Sequence, residues 1–340
     1  MKRLRPIIVG GGLAIFGLGV LALSGILNVA ASVKPSAVTE WLWYIGVRQS
    51  VTLRSLAIEV PDLGDPARIR RAAGHYDLVC AKCHGTPDRP ADAFARALLP
   101  RPPPLMDQMD HWRPPARVFW TVKNGIRHTA MPAWPAPIRD DEVWDMVAFL
   151  RAMPEMSRGT YLAMSGRGAT DSCARCHGED GQGGGSGLPR LDIQSPAYLA
   201  ASLRAYRDGT RASGIMQSIA SGLDDAAIDR LATRYGRGPL APTAVDVSGT
   251  GEGIALSGIP DRKVAACESC HGAAARADYP RLVGQDPAYL MRQLFLFHEH
   301  GAARGGPHAE IMARAIGSLS NREMESVAAW YAKQLVPAGG

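Results

Sequence analysis

The sequence predicts an all-α protein, three tandem helical domains of similar size behind one N-terminal transmembrane helix. Three observations predict it. An uncharged stretch runs from Pro6 to Val33, directly after Lys2, Arg3 and Arg5. Six cysteines fall in three close pairs, whose first members, Cys80, Cys173 and Cys267, recur at spacings of 93 and 94 residues. Around each pair the same order repeats: helix, cysteine pair, Pro/Gly-rich loop, late methionine, closing amphipathic helix. With 340 residues, 37 Gly and 25 Pro, the chain suits small domains with long loops better than one large core.

Residues 1–35 read as a membrane anchor. Ile7, Ile8, Val9, Phe16, Leu18, Val20, Leu21, Leu23, Ile26 and Leu27 fill a run long enough for the roughly 20 apolar residues that span a bilayer. The basic head stays in the cytoplasm, which places everything after Lys34 beyond the membrane. The expected location is the cytoplasmic (inner) membrane, with the other domains in the periplasm. A signal peptide cleaved near Val29-Ala30-Ala31 is the alternative, but the run exceeds the usual apolar core of a signal. Residues 36–65 carry Trp41, Trp43 and Tyr44, rings that favour a membrane interface. This segment is read as membrane-proximal or docking, or as a cover for the domain that follows.

The first repeat spans 66–153. Pro66 suits the first turn of a helix that runs into Cys80. Pro102, Pro103, Pro104, Pro114 and Pro115 keep the following loop from being regular helix. Asp140 or Asp141 is expected to cap a closing helix bearing Val143, Trp144, Val147, Phe149 and Leu150, which Pro154 ends. The second repeat, 155–236, opens near Ser157 with Tyr161 and Leu162 on its first helix and closes with a helix from near Asp224. Residues 237–250 read as a linker. The third repeat, 251–336, ends in a helix capped by Ser320 or Asn321 that carries Met324, Val327, Trp330, Tyr331 and Leu335. Trp144, Tyr235, Trp330 and Tyr331 are expected to pack the cores.

Each cysteine pair, Cys80/Cys83, Cys173/Cys176 and Cys267/Cys270, is followed at once by a histidine: His84, His177 and His271. Cys-x-x-Cys-His is the pattern for thioether attachment of haem. Two thiols reach two vinyl carbons, and the adjacent imidazole turns under the iron, all within one helical turn. An even cysteine count in an exported chain first suggests disulfides, and a zinc pair would need two further ligands per site. Three repeats with an adjacent histidine favour three covalently bound haems c.

The sixth ligand is sought among the late methionines. Met216, the only methionine between His177 and the third motif, lies 39 residues after His177. Met312 lies 41 residues after His271, and both are followed by a leucine seven residues on. Met131 lies 47 residues after His84, in Met131-Pro132-Ala133-Trp134. His128, His298, His300 and His308 compete, as do Met291 and Met324. A His/Met pair raises the potential and closes the iron, which favours electron transfer over chemistry at the metal.

The net charge of +6 omits any haem propionates. It fits acidic partners or anionic lipid, and no basic run interleaved with aromatics supports nucleic-acid binding.

Residues 66–336 resemble the class I cytochrome c superfamily, through the three Cys-x-x-Cys-His motifs and Met131-Pro132-Ala133-Trp134. Residues 155–336 are similar to periplasmic dihaem two-domain cytochromes c. The match rests on Cys173-Ala174-Arg175-Cys176-His177-Gly178 with Leu188-Pro189-Arg190-Leu191, on Cys267-Glu268-Ser269-Cys270-His271-Gly272 with Tyr279-Pro280-Arg281-Leu282-Val283-Gly284-Gln285, and on Pro-Ala-Tyr-Leu in both halves. The resemblance implies that Pro189 and Pro280 pack against the proximal histidines. It implies a class I fold for each unit, with a single-haem domain and an anchor added in front.

The expected function is membrane-anchored electron transfer along three haems. The partners would be a quinol-oxidising complex or dehydrogenase on one side and a terminal oxidase or soluble cytochrome on the other, with the bilayer and possible membrane-complex subunits besides. The alternative is the cytochrome c subunit of a periplasmic substrate dehydrogenase. A haem peroxidase or reductase would need an open iron.

Overall fold

The computed structural model describes residues 12, 16–17, 19–26, 28, 30–106, 114–237, 249–272 and 275–334. Regular structure among them is helical, and extended chain pairs only in isolated bridges such as Thr86 with Arg89 and Gly185 with Leu188.

The expected transmembrane helix falls partly outside the described residues, which omit 1–11, 13–15, 18, 27 and 29. Of those described, the helical ones end at Leu23. There Ser24 Oγ donates to Leu21 O at 2.8 Å, and Gly25 takes a left-handed φ of 72°. No described helix is long and apolar enough to cross a membrane. The single-span anchor, and with it the expected fold class, is corrected accordingly.

Helix α1 (Ala37–Arg54) is capped by Ser36, whose side chain accepts from Thr39 N. The first repeat then supplies α2 (Pro66–His75), a π-helical turn (Tyr76–Cys80), α3 (Ala81–His84), α4 (Ala93–Arg96), α5 (Pro115–Asn124) and α6 (Asp140–Ala152). Asp65 caps α2 through Ala67 N, with proline in the first turn as expected. Helix α6 starts at Asp140 without a side-chain cap. The expected caps are drawn elsewhere: Asp140 pairs with Lys123, and Asp141 is held by Arg139 Nε at 2.7 Å.

α2 crosses α6, α5 lies on α6, and α1 lies on α5. Tyr76 and Phe149 meet at 5.1 Å between ring centroids, and Phe119 stacks on Trp144 at 4.2 Å. Burying such side chains is worth about 1.5–3 kcal/mol each. Most of α1 is exposed, including Trp41, Leu42, Tyr44 and Leu53.

The second repeat opens with α7 (Arg158–Ser165), capped by Ser157. α7 packs on α2, and fully buried Tyr161, with Leu162 and Met164, belongs to the core built by the first repeat. The two repeats share that core. The interior of the first repeat is completed by the helix that follows it.

The second repeat continues with α8 (Ala174–His177), α9 (Pro196–Arg207), α10 (Gly214–Ala220) and α11 (Asp225–Tyr235), the last capped by Asp224. The third has α12 (Thr250–Ser257), α13 (Glu268–His271), α14 (Pro287–His300), α15 (Ala309–Ile316) and α16 (Asn321–Lys333). Ser320 and Glu323 form a capping box on α16. α12 crosses α16 as α2 crosses α6, around Met324, Val327 and Tyr331. Most of the expected linker, and Leu335, lie outside the described residues.

Buried charge joins the repeats. Arg71 donates to Asp145 through Nε at 2.5 Å and Nη2 at 2.7 Å, and reaches Ser186 O in the second repeat at 2.9 Å. Between the second and third repeats, Ala212 N donates to Arg304 O at 3.1 Å and Gly306 N to Thr210 O at 2.9 Å.

Candidate functional site

The second cysteine of each pair lies on a one-turn helix that ends at the histidine, and the first stands at that helix's N-cap. At the first, α2 runs on through the π turn into α3, so one continuous helical path delivers Cys80, Cys83 and His84. The wider turn re-aims the side chains that follow, a common use of π geometry at functional sites. Buried Tyr76 locks the exit of the motif by donating to Gly85 O at 2.7 Å. At the second, Asp171 accepts from both Cys173 N and Ala174 N at 2.8 Å, and Tyr235 donates to Asp171 at 3.1 Å. At the third, Tyr331 on α16 donates to Glu268 at 2.8 Å.

The three histidines share one arrangement. Nδ1 of His84 meets Pro103 O, that of His177 meets Pro189 O, and that of His271 meets Pro280 O, each at 2.9 Å. A nitrogen facing a carbonyl oxygen is the N–H donor, so Nε2 carries the lone pair in all three rings. Burial pushes each imidazole below its ordinary pKa, against a smaller opposite effect of the carbonyl, which keeps it neutral. This is the tautomer and charge state of a metal-binding imidazole. All six cysteines are free thiols, and burial raises Cys80 to about 12 and Cys173 and Cys267 to about 11.

Met216 lines a mainly apolar cavity together with Cys173, His177, Pro189, Leu199 and Tyr235. Beside His84 and Cys83 lies a cleft of about 390 Å³ whose methionine is Met106, not Met131. Met131 is instead held in a turn, where its carbonyl accepts from Ile126 N at 3.1 Å. Met106, which the sequence reading did not weigh, lies two residues after the Pro102–Pro104 run. Met312, on α15, packs partly buried against the third core. Among the competitors, Met324 is fully buried, His308 Nε2 is tied to Asp278 at 2.9 Å, and His128 packs against Trp43.

The cavity of the second motif fits a flat apolar group with anionic edges. Buried Arg211 reaches its wall, donating to Ser202 Oγ at 2.8 Å and Tyr289 Oη at 3.2 Å, while its Nε has no hydrogen-bond partner. Burial and the neighbouring charge of Arg211 push Arg304 down to about 10. Two buried cations side by side cost free energy that a bound carboxylate offsets.

Residues 67–150 match the family model described as cytochrome c oxidase, cbb3-type, subunit III, and residues 164–233 match that of cytochrome c. The thiosulfate dehydrogenase electron acceptor of Thiomonas intermedia is 33% identical over 172 residues, 48% of this chain and 78% of that protein. Cytochrome c4 of Thiocapsa roseopersicina is 32% identical over 166 residues, 47% of this chain and 85% of that protein. The chain belongs to the class I c-type cytochromes of the dihaem c4 kind. Among solved structures, cytochrome c4 of Acidithiobacillus ferrooxidans is 30% identical, covering 47% of this cytochrome and 97% of that chain, with a TM-score of 0.41.

This cytochrome's three cysteine pairs are consistent with up to three c-type haem attachment sites. Its family membership points to redox proteins as partners. The expected family, a dihaem cytochrome extended by a single-haem domain and an anchor, is corrected to the c4 kind itself. Similarity to these relatives takes in about half of the cytochrome and supports neither addition. The membrane-anchored carrier, its single-span placement in the inner membrane and its bilayer partner are corrected too, since no described helix is long and apolar enough to cross a membrane.

Proposed function

We propose that this cytochrome accepts electrons from a substrate dehydrogenase, with haem c attached at each of its three Cys-x-x-Cys-His motifs. The observation that carries the reading is the recurrence of one arrangement: two free thiols, then a neutral imidazole anchored through Nδ1 to a proline carbonyl. Cys80 and Cys83, Cys173 and Cys176, and Cys267 and Cys270 would hold the group by thioethers. His84, His177 and His271 would take one side of the iron. Met131, Met216 and Met312 are the candidates for the other, with Met106 a rival at the first site. Haem so held gains and releases single electrons at its iron. The chain's residues fix the imidazoles, exclude water from apolar walls and place cations where carboxylates would lie. Similarity to the electron acceptor of a thiosulfate dehydrogenase supports the dehydrogenase as donor.

Two measurements test this. Denatured chain is expected to keep its colour, with an intact mass raised by three haems; a colourless denatured chain refutes the reading. Oxidised holo-cytochrome is expected to be reduced by thiosulfate only when a thiosulfate dehydrogenase is added. A chain that stays oxidised with both present removes that donor. A second reading, delivery to a terminal oxidase, is favoured by the match of residues 67–150. It predicts rapid reoxidation of the reduced chain by a cbb3-type oxidase.

A further inference from the structure

The peptide group that holds each of two histidines is itself held from across an interface. Pro189 O, which accepts from His177 Nδ1, belongs to the same peptide as Arg190 N. That N–H donates to Gln285 Oε1 of the third repeat at 2.8 Å, and Gln285 Nε2 returns a bond to Arg190 O at 3.0 Å. The mirror arrangement stands opposite. Pro280 O accepts from His271, Arg281 N donates to Gln194 Oε1 of the second repeat at 2.9 Å, and Gln194 Nε2 reaches Arg281 O at 2.8 Å. Both glutamines are 3% exposed. The first motif has no such lever: Pro103 O is followed by Pro104, whose nitrogen carries no hydrogen.

An amide whose N–H is bonded becomes a better acceptor at its carbonyl; chained hydrogen bonds strengthen one another by about 10–30% each. A better acceptor on Nδ1–H makes the imidazole more basic at Nε2. A more basic ligand favours the more highly charged, oxidised metal.

We propose that Gln285 and Gln194 are positioning residues that tune each other's repeat: Gln285 lowers the reduction potential of the centre at His177, and Gln194 that of the centre at His271. The proposal rests on the reading that these histidines bind haem iron.

The test is a spectroscopic redox titration of the full holo-chain, after its haem content has been measured. Q285L is expected to keep its haem and raise one potential, and Q194L to raise a different one, while a third stays put in both. Q285E keeps an acceptor for Arg190 N and is expected to leave the first potential at or below its parent value. Should Q285L fail to fold, Q285E and Q194E carry the test, and an upward shift in either overturns the proposal. It is equally overturned if both leucine variants move the same potential, if all potentials move together, or if none moves with haem retained. A parent chain without covalent haem at these motifs removes the reading beneath it, a failure told apart by the haem measurement.

Discussion

D77A is expected to lose about 3–5 kcal/mol of stability, the usual cost of stranding buried charge by removing its partner. Asp77 lies in the π turn before Cys80, with its side chain 3% exposed. It accepts from Tyr161 Oη at 2.9 Å, Arg167 Nε at 3.1 Å and Arg175 Nη1 at 2.6 Å. Arg175 is one of the two residues between Cys173 and Cys176, so one carboxylate ties the first motif to the second. The variant should show a lower denaturant midpoint with an unchanged slope. A midpoint unchanged within error would mean that Arg167 and Arg175 find water or other partners at no cost.

The same group sets a pH dependence. Burial raises the Asp77 pKa, but the bonds from Arg167, Arg175 and Tyr161 outweigh it and leave the net value lowered. The unfolded chain therefore takes up this proton at a higher pH than the folded one. The stabilisation is complete above the ordinary aspartate value of about 3.9 and is lost as pH falls through the folded value. Acid unfolding of D77A should accordingly be shallower below about pH 4 than that of the parent.

E142A is expected to cost a similar 3–5 kcal/mol and, besides, to disturb the Met216 helix. Glu142, on α6 of the first repeat, accepts from Ser213 Oγ at 2.6 Å and Gly214 N at 2.7 Å, the first turn of α10. It also accepts from Trp134 Nε1 at 3.2 Å and pairs with Arg139 at 2.8 Å. One buried carboxylate thus grips both the Met131–Trp134 segment and the helix that carries Met216. If Met216 binds iron, the variant should weaken the methionine-to-iron absorbance band as well as the fold. A spectrum identical to the parent's would leave Glu142 a packing residue only. Gly214 shares the constraint, because a β-carbon there would collide with the indole of Trp134.

What could be read from the sequence was local. The helix into Cys80, the caps at Asp224 and Ser320, and the buried Tyr235 and Tyr331 follow from short-range pattern, which i+3 and i+4 spacing and capping chemistry reveal. The expected cap of α6 failed because Lys123 and Arg139 compete for the same aspartates. The anchor rests on an apolar run behind a basic head, a pattern blind to the turn at Ser24 and Gly25. The spacing of Tyr161 shows that it is buried but not in which core; it closes the interior of the first repeat. The pairs Arg190–Gln285 and Asp77–Arg175 join residues 95 and 98 apart, and no periodicity records such bonds.

Gly74 of α2 backs directly onto the second motif: a β-carbon on it would stand 2.8 Å from Cys176 Sγ. On that side the partly exposed cysteine is flanked by a helix belonging to a different repeat. A side chain larger than hydrogen at position 74 would press on that sulfur, so the close fit of the early and middle parts of the polypeptide depends on one missing methyl group.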